Sequence, residues 1–165
     1  MRARPLVRLG LLIAIIFIAG CVQLVRTPGT KGTENAFWSG RLSLQVDNAP
    51  TQSFAAAFEL KGGAAAGELA LFSPLGSTLA QLSWAPGRAT LNADSREQQF
   101  GSLDALVAQA TGTAIPVAAL FDWLAGTPTP VPGWQPDLSR LGAGHLAARR
   151  TDPQPLADLR VVLDR

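Results

Sequence analysis

Between residues 41 and 93, apolar and polar side chains alternate in short runs broken by turn residues. That period of two is the signature of half-buried β-strands. Residues 41–46 (RLSLQV) place Leu42, Leu44 and Val46 on one face, and residues 53–60 (SFAAAFEL) do the same with Phe54, Ala56, Phe58 and Leu60. Lys61-Gly62-Gly63 is a hairpin signal, and residues 68–72, 77–84 and 88–93 read as the third, fourth and fifth strands. Pro86-Gly87 suits the tight turn between the last two, since proline presets the first corner and glycine accepts positive φ. Short strands with tight turns at such spacing pair antiparallel.

The period then changes. Ser102 can cap a helix that carries Leu103, Leu106, Val107 and Ala110 and stops at Gly112. A second helix starts at Pro116 and carries Val117, Leu120, Phe121 and Leu124 before Gly126 ends it. Each helix has one apolar stripe, so each requires a sheet face or a cavity to cover. Residues 127–136 contain four prolines and read as an extended loop, and residues 145–150 and 159–163 supply two further strands. The fold class is α+β: a mainly antiparallel sheet with a helical insertion on one face.

The first twenty residues carry a different signal. Arg2, Arg4 and Arg8 precede an uncharged apolar run of eleven residues, 9–19 (LGLLIAIIFIA). A membrane-spanning helix needs about 20 such residues, so the run reads as an export signal. It ends Ile18-Ala19-Gly20-Cys21, which resembles the lipobox of bacterial lipoproteins, with the Cys21 thiol as the group that accepts diacylglycerol and Cys21 as the first mature residue. In that resemblance the freed amine is acylated too, and Val22 in place of aspartate is similar to an outer-membrane address. The expected organisation is a signal peptide over 1–20, a lipidated tether over 21–36 and a folded domain over 37–165. The tether reading rests on the polar, turn-rich stretch 27–35 (TPGTKGTEN).

Composition narrows the function. A single cysteine excludes an internal disulfide framework, a structural zinc site and an iron–sulfur cluster, and a single histidine excludes a multi-histidine metal centre. The net charge of +2 comes from the export signal: without residues 1–20 there are 11 basic side chains against 12 acidic ones. A nucleic-acid partner is not expected, and Arg149-Arg150 is too short a run to suggest one. His145 lacks any nucleophile-elbow motif around it, and Glu59 and Glu68 read as solvated strand carboxylates. No metal and no enzymatic chemistry are expected.

One turn is out of keeping with a water-soluble surface. Ser73-Pro74-Leu75-Gly76 suits a type I turn, yet leucine occupies its third corner. Single exposed leucines are common and by themselves need no explanation. Here, however, residues 71–78 (LFSPLGST) resemble the loop of the LolB family of outer-membrane lipoprotein receptors. Residues 111–117 (TGTAIPV) followed by Trp123-Leu124 and Gly126, Ser39-Gly40-Arg41, Trp84 with Pro86-Gly87, and the lipobox are similar to that family as well. The resemblance runs from about Cys21 to Trp134; beyond it the chain departs from the family pattern.

The resemblance implies a strongly curved, unclosed barrel with a helical lid, whose hollow takes the acyl chains of lipoproteins from a LolA-like periplasmic carrier. It needs no cofactor beyond the covalent lipid on Cys21. It implies that Pro74, Leu75 and Gly76 form a membrane-insertion loop, and that the partners are the carrier, acylated lipoproteins and outer-membrane lipid, with the protein itself a monomer. Periodicity adds ten candidates for the acyl-chain cavity: Phe54, Phe58, Leu69, Leu71, Leu82, Trp84, Leu106, Leu120, Phe121 and Leu124. Trp123 and Trp134 read as packing residues. The competing expectation is a structural or assembly lipoprotein that binds a protein through an apolar face.

Overall fold

The alternating segments assemble into one antiparallel sheet. A computed structural model describes residues 36–111 and 114–164. The strands are β1 Ala36–Val46, β2 Gln52–Gly62, β3 Gly67–Phe72, β4 Thr78–Ala85, β5 Arg88–Ala93, β6 Arg96–Phe100, β7 Trp134–Asp137, β8 His145–Arg150 and β9 Ala157–Leu163. Two helices, α1 Leu103–Thr111 and α2 Val117–Leu124, separate β6 from β7.

Strand order across the sheet is β6-β5-β4-β3-β2-β1-β9-β8-β7. Six strands follow one another as a meander, and the last three return beside β1. The two outermost strands, β6 and β7, do not pair, so the sheet is unclosed. It is nevertheless curved. Buried side chains from β1, β2, β4, β5, β7, β8 and β9 and from both helices belong to one apolar cluster. A flat nine-stranded sheet would hold its edges far apart, since neighbouring strands are about 4.8 Å apart.

Registers explain the sorting of side chains. Leu42 opposes Ala56 and Val161, Leu60 opposes Leu69, Leu69 opposes Leu82, and Leu82 opposes Leu91. Period-two geometry therefore puts the even positions of β1, β2 and β4 and the odd positions of β3, β5 and β9 on one inner face. The outer face carries Arg41, Glu59, Lys61, Arg149 and Asp158, with ion pairs Lys61–Glu59 at 3.6 Å and Arg149–Asp158 at 3.0 Å. Glu59 thus sits beside a cation on its own strand, and Glu68 faces that same Lys61 across the β2–β3 hairpin.

Three sequence expectations are corrected. Residues 96–100 form β6, although no strand was expected there. The β5–β6 turn uses Asp94 and Ser95 at φ 50 and 59, so it lacks the glycine that normally advertises two left-handed corners. Residues 127–136 are not all loop: Trp134–Asp137 pairs with β8 as the terminal strand. Its Pro136 is tolerated because an edge strand needs to donate on one side only. Pro116 stands just before α2 rather than within its first turn, with its carbonyl accepting from the Leu120 N–H at 2.9 Å. The N-terminal segments, including Cys21, lie outside the described residues.

Candidate functional site

The inner face and the two helices form the apolar interior. Ser102 starts α1, its Oγ accepting from the Ala105 N–H at 3.1 Å, and this directs Leu106 and Val107 inward, where both are buried. In α2, Ala119, Phe121, Trp123 and Leu124 are buried. Phe121 is the keystone. Its ring meets Trp38 of β1 at 5.7 Å and Trp84 of β4 at 6.2 Å, both edge-to-face. Such aromatic pairs contribute about 1 kcal/mol each beyond burial.

Polar atoms in this interior are satisfied without weakening its apolar character. The Trp84 indole N–H donates to the Gly63 carbonyl at 3.0 Å, across the β2–β3 turn. The Trp123 indole N–H donates to the Thr129 carbonyl at 2.9 Å, and the Thr129 hydroxyl donates to the Asp122 carboxylate at 2.7 Å. These two bonds clasp the proline-rich segment after α2 to the helix. Trp123 also packs on Trp134 with ring centroids 6.3 Å apart, as expected for packing residues. No buried side-chain polar atom among the described residues lacks a partner.

The ten cavity candidates divide by position. Phe58, Leu82, Trp84, Leu106, Phe121 and Leu124 are buried together in the core cluster, while Leu69, Leu71 and Leu120 are partly buried against it. Phe54 is on the inner face by register but 40% exposed, because β3 ends at Phe72 and leaves the start of β2 without a partner on that side. Trp38, Leu91 and Phe100, partly buried against the same cluster, were not among the candidates. Trp38 precedes the segment where alternation is legible, and Leu91 lies in a run where threonine and asparagine dilute it.

The Ser73–Gly76 turn stands clear of this interior. The Gly76 N–H donates to the Ser73 carbonyl at 2.9 Å, the Ser73 N–H to the Ser77 carbonyl at 2.8 Å, and the Ser77 N–H to Ser73 Oγ at 3.2 Å. The turn is therefore well ordered by its own bonds and does not depend on Leu75, whose side chain is 94% exposed. A rigid turn that presents a bare leucine costs apolar hydration in water and recovers it only in an apolar medium.

His145 lies on β8 and is half-buried, opposite Val162. Among the described residues no group of three metal-ligating side chains occurs, and no helix is long and apolar enough to cross a membrane.

Comparison with known proteins agrees with this geometry. The family model described as "Outer membrane lipoprotein LolB" matches residues 36–154, so it covers both helices and the Ser73–Gly76 turn and continues past Trp134 through β8. The outer-membrane lipoprotein LolB of Bordetella petrii is 33% identical over 163 residues, covering 82% of this chain and 81% of its own. That of Chromobacterium violaceum is 33% identical over 128 residues, covering 74% and 69%. That of Cupriavidus pinatubonensis is 32% identical over 122 residues, covering 71% and 59%. An unclosed antiparallel sheet roofed by two helices, an ordered turn that bares a leucine, and a family match over most of the chain lead to one conclusion: this chain belongs to the LolB family of outer membrane lipoproteins.

Proposed function

We propose that this protein is an outer-membrane-anchored receptor that accepts acylated lipoproteins from a LolA-like periplasmic carrier, shelters their acyl chains and inserts them into the membrane. The observation that carries this reading is the apolar inner face of an open sheet, roofed by two helices that bury their apolar stripes against it. Each buried methylene contributes about 0.8 kcal/mol relative to water, so a chain of a dozen methylenes contributes roughly 10 kcal/mol. Unpacking a phenylalanine costs about 3–5 kcal/mol. Measured against exposure to water, a long acyl chain therefore offsets the cost of shifting Phe121 away from Trp38 and Trp84.

Anchoring belongs to Cys21, whose diacylglycerol and N-linked acyl chain supply the two or more chains that stable attachment requires. It keeps the domain on the periplasmic face of the outer membrane, where we take it to act as a monomer. Leu75, flanked by Pro74 and Gly76, reaches into the lipid when a passenger is delivered. The six core candidates, with Leu69, Leu71 and Leu120 at their margin and Phe54 at the mouth, line the space the chains occupy. Handover needs neither nucleotide nor cofactor, because each step moves apolar surface between apolar hosts.

The test is transfer from a loaded carrier to the Cys21→Ala chain, with and without liposomes. The soluble chain is expected to take up the acylated protein and to pass it on when liposomes are present. Failure to take up any acylated protein would favour a structural lipoprotein that binds a protein partner through an apolar face.

A further inference from the structure

The sheet contains a split that the proposed carrier role does not by itself require. β1 pairs with β2 along its whole length, from Ala36 opposite Gly62 to Val46 opposite Gln52. β3 pairs with β2 only between Gly62 and Ala57. From Ala56 back to Gln52, β2 therefore has no partner on that side. The β3–β4 hairpin also changes course at this point, with a register irregularity between Leu71 and Phe72 that leaves Leu79 as the extra residue, 40% exposed.

Between the two lies a cleft of about 740 Å³. Its strand residues are mainly of the outer face, Arg41, Ala55, Ala57, Glu59 and Phe72, and it reaches Leu42 and Ala56 of the inner one. It opens where β2 loses its β3 partner beyond Ala57, so along this edge no strand separates the outer face from the inner one, and the inner-face Phe54 is 40% exposed there. Its far wall is Ser73, Pro74 and Gly76, three of the four residues of the turn that bares Leu75. The near wall is Ala55-Ala56-Ala57, the three consecutive methyl side chains that keep the gap from being filled.

We infer that this split is a lateral portal through which an acyl chain passes between the interior and the lipid that Leu75 engages. The inference rests on the acyl-carrier reading and adds the route. The alternative exit, beneath a lifted α2, would leave the outer-face residues of β2 without influence on delivery. The portal makes them decisive: a chain leaving between Ala55 and Pro74 enters lipid beside Leu75 without crossing water.

Ala55 is exposed and on the outer face, so enlarging it alters the gap and not the interior. The Cys21→Ala chain is loaded with pyrene-labelled palmitate and mixed with phosphatidylethanolamine–phosphatidylglycerol vesicles, and transfer is followed by pyrene fluorescence. Ala55→Trp is expected to slow transfer at least about tenfold while leaving equilibrium affinity for the probe within about twofold, and Ala55→Ser is expected to behave as the parent. Transfer by Ala55→Trp at the parent rate, with affinity retained, overturns the portal and leaves the carrier reading standing. Equal slowing by Ala55→Ser also overturns it, since a hydroxyl does not fill the gap. A parent chain that takes up no probe overturns the carrier reading, and the portal with it.

Discussion

Leu75 and Gly133 show how single residues carry opposite kinds of constraint. Leu75 contributes nothing to the fold, since its turn is held by backbone and Ser73 hydrogen bonds and the side chain is 94% exposed. Leu75→Glu should therefore change unfolding free energy by less than about 0.5 kcal/mol. The same change should leave acceptance from the carrier intact but impair delivery to liposomes, because a carboxylate resists entry into hydrocarbon. Delivery at the parent rate would remove Leu75 from the mechanism. Gly133 is the reverse case. It sits at φ +77, and a Cβ there would collide with the Asp152 carbonyl oxygen. Gly133→Ala should destabilise by at least about 2 kcal/mol, from strained backbone and forced separation of the chain, read as a lower urea midpoint. The exposed leucine was legible in the sequence because its turn chemistry is local. The glycine was not, because its constraint comes from a segment that only folding brings near.

At the scale of elements, α2 holds the interior closed through two separable devices. One is apolar, the Phe121 ring between Trp38 and Trp84. The other is polar, the Thr129 hydroxyl on Asp122 together with the Trp123 indole on the Thr129 carbonyl. Thr129→Val removes the first of these polar bonds at nearly constant volume. It should cost about 1–2 kcal/mol and speed the uptake of an acyl probe, measured by stopped-flow fluorescence, since the roof lifts more readily. Unchanged uptake kinetics despite the lost stability would show that the clasp does not gate the interior. Both helices were legible from their apolar stripes and end signals. The clasp was not: Asp122 and Thr129 are seven residues apart across a helix end, with no spacing pattern to link them. β6 escaped notice because Arg96, Glu97, Gln98 and Gln99 are polar on both faces, as suits an edge strand.

Over the whole molecule, the unclosed sheet leaves two edges that must not recruit other chains. The β7 edge is short and proline-flanked, with Pro132 and Pro136 on either side of Trp134. The β6 edge is blunted by charge and by a Gln99–Glu97 side-chain hydrogen bond at 3.1 Å. Replacing both outer-face residues, Glu97→Val with Gln99→Val, should promote self-association, seen as concentration-dependent light scattering at unchanged helix content. A scattering profile that matches the parent would mean that the edge is protected by shape rather than by polarity. The reason to leave the barrel open lies in the proposed function, because a closed barrel offers neither a movable roof nor a split between strands.

Local pattern alone specifies the class of most segments. Period two, period three to four, and turn residues are local, and they specify which side chain faces which way before any strand finds its partner. Sequence also sets the charge balance, the expected lipid attachment at Cys21 and the exposed leucine. Folding of the whole chain sets which strands are neighbours, that β9 pairs with the second half of β1, and that β3 stops short of Ala56 and leaves an open edge beside the turn of Leu75. Those outcomes depend on pairings between residues as far apart as Gly40 and Leu163. Such pairings follow from burial summed over the whole inner face, and no local pattern encodes that sum.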